Sequence, residues 1–288
     1  MIDAHQHFWR LDRGDYGWLT ASLAPIYRDF GPADLAPLLA RHGIDRTVLV
    51  QAAPTEAETE YLLGIASATP WVAGVVGWTD FESPQAPRRI AALARHAKLV
   101  GLRPMVQDLP DDHWLARADL VPAFEAMIGH GLVFDALVMP RHLPALAWLL
   151  ERHPSLTVVV DHGAKPRIRE GELAPWYAAM REIARHDRVY CKLSGLVTEA
   201  SPDAPNEVVF PFIDALLDVF GARRLLWGSD WPVVNLAGGY DRWRAITLRA
   251  LARVDEASRA AVLGDNAASV YLDPRGRSFA NRGYRPGP

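Results

Sequence analysis

Apolar residues gather in short runs rich in valine, isoleucine and leucine, and the stretches between the runs carry apolar residues at helical spacing. The runs begin near Ile2, Val48, Val72, Leu99, Val133, Val158, Val189 and Leu225. Each has the length of a buried strand rather than of a buried helix. Between them, Ile90, Leu93, Ala94 and Ala97 recur every three or four residues, and residues 143–150, 206–220 and 240–254 follow the same rule. Thr55-Glu56-Ala57-Glu58 reads as a capping box, in which the Thr55 hydroxyl and the Glu58 carboxylate each satisfy a free N–H. Pro144 suits a first helical turn. Strands alternating with helices pair in parallel. Eight such units in 288 residues match a single-domain (β/α)8 barrel of the TIM type. An open doubly wound sheet would want a glycine-rich turn after an early strand, and no G-x-G-x-x-G occurs. The barrel is expected over residues 1–273, and the Arg-, Gly- and Pro-rich residues 274–288 read as an exposed tail.

The longest interval follows the first strand. Residues Phe8 to Phe30 are rich in Trp, Tyr, Asp and Gly without a clean period. In a barrel this segment leaves the C-terminal end of strand one, where active sites form. It is therefore read as a substrate-covering loop, with a plain excursion as the alternative.

Charge narrows the class of partner. The chain has 31 basic and 34 acidic residues, a net charge of -3, and no basic stripe of the kind a nucleic-acid binder shows. Arg88, Arg89 and Arg95 fit a solvated helix face. The single cysteine, Cys191, excludes a disulfide within the chain and a multi-cysteine zinc site. It lies in an apolar run and reads as a small buried hydrophobe. These features point to a reducing compartment, the cytoplasm. The first residues lack the basic and apolar regions of a signal peptide, and no apolar run is long enough to span a membrane. Oligomeric state is not fixed, and a homo-oligomer stays open.

Four polar residues stand at predicted strand ends. His5 and His7 flank Gln6 and share one face of strand one. Two adjacent imidazoles make a poor core, because their nitrogens need partners, but a good pair of metal ligands or of donors to a substrate oxygen. The apolar run from Leu156 ends in Asp161-His162-Gly163, and the run from Leu225 ends in Gly228-Ser229-Asp230-Trp231-Pro232. His162 and Asp230 thus sit at the mouth of the barrel. Strands one and eight are neighbours in a closed barrel, which brings Asp230 within reach of His5 and His7. Arg103, at the end of strand four, could bind a carboxylate, a carbonyl or sugar hydroxyls, with a salt bridge at the barrel rim as the alternative. Gln51, Trp78, His142 and Trp231 could line the pocket. Asp161, Lys192 and Ser194 read as structural.

Ile2-Asp3-Ala4-His5-Gln6-His7, Asp161-His162-Gly163 and Trp227-Gly228-Ser229-Asp230-Trp231-Pro232 resemble the amidohydrolase superfamily. More narrowly they resemble the amidohydrolase-2 branch, which contains sugar-lactone and dicarboxylate-lactone hydrolases. Gly264 to Tyr271 is similar to that family's closing helix, so the resemblance covers Ile2 to about Asp273. It implies that His5 and His7 bind a metal or the substrate carbonyl, that His162 is the strand-six histidine, and that Asp230 is the general base. The lysine or glutamate that bridges two metals in other members has no counterpart at Gly101-Leu102-Arg103-Pro104. Leu132-Val133-Phe134-Asp135 carries no histidine. This argues against a binuclear site. One divalent ion, zinc above others, on His5, His7 and Asp230 stays open. So does a metal-free site.

The activity implied is hydrolysis of a sugar-acid lactone, an aldonolactone such as an L-fucono- or L-rhamnono-lactone, by water that Asp230 activates. His5, His7 and His162, or a metal they hold, would stabilise the oxyanion. No G-x-S-x-G elbow occurs, which removes a serine hydrolase. With Arg103 as the single well-placed cation, a neutral polyol lactone is expected over a dicarboxylate. Two alternatives stay open: metal-dependent, non-oxidative decarboxylation of an aromatic acid on the same barrel, and a non-catalytic sugar-binding barrel.

Overall fold

The computed structural model describes residues 1–273, so the tail expected at 274–288 lies outside the described residues. The eight apolar runs become β1 (Ile2–Gln6), β2 (Arg46–Val50), β3 (Val72–Gly77), β4 (Leu99–Leu102), β5 (Val133–Ala136), β6 (Val158–Val160), β7 (Val189–Leu193) and β8 (Leu225–Trp227). They form one parallel sheet in sequence order. A parallel bridge between Gln6 and Trp231 joins its last strand to its first. The crossovers carry α1 (Pro32–His42), α2 (Glu56–Ala68), α3 (Ala86–Leu93), α4 (Val121–His130), α5 (Leu143–Arg152), α6 (Ala174–Ile183) and α7 (Phe210–Phe220), and α8 (Gly239–Ala250) follows β8. The chain belongs to the (β/α)8 barrel architecture, with one apolar layer between strands and helices and another inside the strands. Among the described residues, no helix is long and apolar enough to cross a membrane.

Local chemistry explains the element boundaries. Gly43 and Gly131 end α1 and α4 in the left-handed conformation, where glycine carries no Cβ penalty. Pro144 lies in the first turn of α5, as its sequence suggests. The capping box at α2 forms by half. Thr55 Oγ1 accepts the Glu58 N–H at 3.0 Å. The Glu58 carboxylate instead accepts the N–H groups of Ala52 and Ala53 at the mouth of β2. Burial raises this carboxyl to about 7, against those two hydrogen bonds.

The inner layer departs from simple alternation. At the N-terminal end of the barrel, Ile2, Ala4, Val48, Val100, Val133, Val159 and Leu226 pack together. Ala267 and Tyr271, from the closing segment, join them. In β1, Asp3 lies opposite Thr47 while Gln6 lies opposite Leu49, so one extra residue bulges between them. The bulge reverses the parity of the strand. Ile2 and Ala4 face inward before it, and His5 and His7 face inward after it. Gln6 turns out to donate to Thr47 Oγ1 at 3.1 Å. A second irregularity in β4, where Val75 pairs Leu99 and Val76 pairs Gly101, similarly brings both Val100 and Arg103 to the interior.

The β1–β8 seam is tight. A Cβ on Gly228 would lie 2.6 Å from His5 Cβ and 3.1 Å from His5 N. Only a residue without a side chain lets the two strands approach so closely. Gly228→Ala is therefore expected to cost about 1–3 kcal/mol of stability through overpacking. It should also shift His5. Urea unfolding of the variant beside the parent checks the first expectation, and a wild-type midpoint would contradict it.

Candidate active site

Four side chains expected to meet do so at the C-terminal mouth. His5 and His7 project from β1, His162 follows β6 and Asp230 follows β8. Asp230 Oδ1 lies 3.4 Å from His7 Nε2, 3.7 Å from His5 Nε2 and 4.0 Å from His162 Nε2. The His5 and His162 rings are 4.5 Å apart between centroids. His162 and Asp230 both take left-handed backbone conformations, with φ of 54° and 58°. Such φ values cost energy for residues other than glycine, and they cluster where structure over-determines a functional position. Gly195 supports His162 closely: a Cβ there would lie 2.5 Å from its Nδ1.

Burial lowers His162 to about 4. Burial and the Lys192 charge together hold His5 well below the usual histidine range. Burial alone would raise Asp230, but the surrounding imidazoles outweigh it and hold the carboxyl below its ordinary value. Near neutral pH the cluster is thus an ionised carboxylate facing neutral His5 and His162 rings. That arrangement suits a cation or a proton. His5 Nε2, His7 Nε2 and Asp230 Oδ1 form a donor set of metal-binding size. Bonds of 2.0–2.1 Å to a tetrahedral ion would set ligand atoms about 3.4 Å apart. The observed separations of 3.1, 3.4 and 3.7 Å bracket that value. His7 Nδ1 lies 2.8 Å from Val50 O, the outer partner that a metal-binding imidazole takes.

The residues read as structural lie directly beneath. Lys192 Nζ is 2.5 Å from Asp135 Oδ2, 3.0 Å from Asp161 Oδ1 and 3.1 Å from His5 Nδ1. Arg103 pairs with the other Asp161 oxygen at 3.2 Å. Ser194 Oγ lies 2.8 Å from His162 Nδ1. Lys192 and Asp161 are therefore in contact with the cluster rather than remote from it. Burial would raise Asp161, but Lys192, His5 and Arg103 overcome this and hold it well below the carboxylate range. Asp135 shares the same lysine, and burial prevails there, raising it to about 6. The sequence signal was a charge at an inward position of an apolar strand, Lys192 two residues after Tyr190 and Asp135 two after Val133.

The expected pocket residues divide. Trp78 lines a cavity of about 490 Å³ at the same mouth, with Trp18, Phe81 and Trp114. Asp15, Asp80, Glu82 and Asp108 are also on its wall, and Pro104 places it next to Arg103. Arg103 is itself committed, its guanidinium donating to Asp161 and to the Gln51 carbonyl. Gln51 returns a bond from Nε2 to Arg103 O at 2.6 Å. Trp231 packs edge-on against Phe30 and Phe8, with centroids 5.1 and 6.1 Å away. His142 is buried, and its Nδ1 accepts the Met139 N–H at 3.0 Å. Neither joins the cluster or the wall of that cavity. The Phe8–Phe30 segment is pinned at its base by paired hydrogen bonds between Trp9 and Phe30. Its Trp18 indole donates to Ala52 O at 2.7 Å, which brings the segment over the mouth.

Comparison with known proteins places this geometry in a family. The model of the amidohydrolase family matches residues 2–272. The chain is 52% identical over 274 residues to an L-fucono-1,5-lactonase of Burkholderia ambifaria, covering 94% of each. It is 38% identical to an L-fucono-1,5-lactonase of Burkholderia multivorans, covering 95% of this chain and 96% of the other. A crystal structure of a Burkholderia multivorans amidohydrolase with bound zinc superposes with a TM-score of 0.90 at 38% identity, over 94% of this chain and 98% of that one. With nearly its full described length matched by the family model, the chain belongs to the amidohydrolase family.

Proposed function

We propose that the protein hydrolyses a sugar-acid lactone, an aldonolactone of the L-fucono-1,5-lactone kind, with Asp230 as the base. The observation that carries this is a single carboxylate oxygen within 4.0 Å of three imidazole nitrogens at the mouth of the barrel. The relatives that share about half and over a third of its residues are lactonases for that substrate.

The chemistry follows from the charges. Asp230, ionised among neutral rings, takes a proton from water as the water attacks the lactone carbonyl. The carbonyl oxygen gains negative charge, and an imidazole N–H of the cluster would donate to it. The ring C–O bond then breaks. The proton held by Asp230 passes to the departing ring oxygen, which leaves as the sugar hydroxyl, and the carboxylate is restored. His5, His7 and Asp230 would hold a divalent ion, zinc above others; when bound it supplies a Lewis acid at the carbonyl oxygen. Gly228 and the seam bonds keep Asp230 against β1 throughout.

The cavity at the same mouth, lined by loop residues and by none of the four cluster side chains, supports a neutral substrate. Its volume suits a six-carbon lactone. Aromatic faces beside polar groups suit a sugar ring. The wall carries four carboxylates and no lysine or arginine; Arg13 and Arg117 pair with Asp15 and Glu82, and a dicarboxylate lactone would meet like charge at Asp80 and Asp108. Like-charge juxtaposition costs several kcal/mol.

Two outcomes are expected. Asp230→Asn should lose about 10³-fold in kcat for lactone opening, within the range for removing a general base. Its circular dichroism should stay unchanged. A proton-release assay measures this, and near-parental turnover would overturn the proposed role. Across a lactone panel, kcat/KM for neutral aldonolactones should exceed that for dicarboxylate lactones by about 100-fold, the factor that a few kcal/mol of repulsion represents. Equal values would remove the electrostatic basis for the neutral preference.

A further inference from the structure

Lys192 closes a hydrogen-bonded chain and selects its direction. An ammonium can only donate, and a carbonyl can only accept. Lys192 Nζ lies 3.1 Å from His5 Nδ1, His5 Nε2 lies 3.1 Å from His7 Nε2, and His7 Nδ1 lies 2.8 Å from Val50 O. With Lys192 donating at one end, His5 Nδ1 is the acceptor, so the proton of a neutral His5 sits on Nε2. With Val50 O accepting at the other end, His7 carries its proton on Nδ1 and offers the Nε2 lone pair. The His5 Nε2–H then points to His7 Nε2, and every nitrogen in the chain is used once. Asp161 Oδ1 lies farther from His5 Nδ1, at 3.4 Å, and is itself 3.0 Å from Lys192 Nζ.

The geometry points to Lys192 as a positioning residue that fixes His5 in its Nε2–H tautomer, making His5 a hydrogen-bond donor to the site and opposing its use as a metal ligand. A metal ion needs the Nε2 lone pair. To free it, the ring proton must move to Nδ1, where it would face the Lys192 ammonium. Asp161 is the acceptor that could receive it, giving the carboxylate–histidine pair that supports metal binding elsewhere, but Lys192 stands closer. Distances among the three donor atoms fit an ion, while the proton arrangement selected by Lys192 favours the metal-free state. This inference concerns the proton on His5 and holds or fails apart from which lactone is hydrolysed.

Nuclear magnetic resonance of the metal-free full chain, labelled with ¹⁵N in histidine, tests it directly. His5 is assigned by the signals lost in His5→Gln. The expected spectrum shows a protonated Nε2 and an unprotonated, hydrogen-bonded Nδ1 for His5. A His5 protonated at Nδ1 would overturn the inference. The second test is the double variant Lys192→Met with Asp135→Asn, which removes one buried charge of each sign. Its affinity for Zn²⁺, measured by competition with a chromophoric chelator, should be at least tenfold tighter than that of the parent. Unchanged or weaker affinity in a folded variant would also overturn it. A purely structural lysine would change the melting temperature without moving the tautomer or tightening zinc. Should the double variant not fold, the spectrum of the parent still decides.

Discussion

Two hydrogen bonds, His7 N–H to Trp231 O at 2.7 Å and Asp230 N–H to His5 O at 2.8 Å, tie the end of the first strand to the end of the last. They close the barrel, and they also set the distance between the carboxylate and the two histidines. Asp3 reinforces the seam by accepting the Ser229 N–H at 2.8 Å and the Tyr240 hydroxyl at 3.0 Å. Burial raises Asp3 to about 6 against those bonds. Fold closure and site assembly are thus one event. A change that opens the seam moves Asp230 away from the two histidines.

Beneath the seam the barrel interior holds charge where apolar layers would pack. Arg103 and Lys192 face Asp161 and Asp135, and Tyr271 caps the lower carboxylate with its hydroxyl at 2.8 and 3.0 Å. Charges of each sign are equal in this group, which is what permits burial. Removing one member of a buried pair typically costs about 3–5 kcal/mol, whereas an apolar replacement of the whole pair can be neutral. The ladder is therefore weak as a source of stability. Its products are orientation and proton placement: Asp161 anchors Arg103, Arg103 holds Gln51, and Lys192 holds the His5 ring.

Much of this was legible in the residues, and the rest was hidden for definite reasons. All eight strands begin at or within two residues of the apolar runs, because buried parallel strands need continuous apolar stretches. The meeting of His5, His7, His162 and Asp230 followed from their places at strand ends and from the adjacency of strands one and eight in a closed barrel. The bulge in β1 was invisible, since an extra residue leaves composition and spacing unchanged while reversing which side chains face inward. Lys192 and Asp135 did carry a signal, a full charge on the inward parity of an apolar strand, and the reading of Lys192 as structural discounted it. Trp231 shows the converse error. Following Asp230 directly, it takes the other side of the chain and packs on Phe8 and Phe30. Arg103 makes the salt bridge that was the other reading of it, with partners, Asp161 and Gln51 O, at the ends of strands far away in sequence.

The site divides between elements that differ in rigidity. His5, His7, Asp161, His162, Lys192 and Asp230 stand on or just beyond strands β1, β6, β7 and β8, locked by the seam, by the buried ladder and by two left-handed turns. The wall of the adjoining cavity comes instead from the crossovers after β1, β2, β3 and β4, through Trp18, Pro54, Trp78 and Trp114 among others. Crossover loops tolerate change far better than strands whose side chains fill a closed interior. A substitution in the wall alters shape and charge around the substrate and leaves the proton arrangement at His5 untouched. One in the ladder does the reverse. Separating the two leaves the shape and charge of the wall to the loops, while the carboxylate, the rings and the lysine beneath them stay where barrel closure puts them.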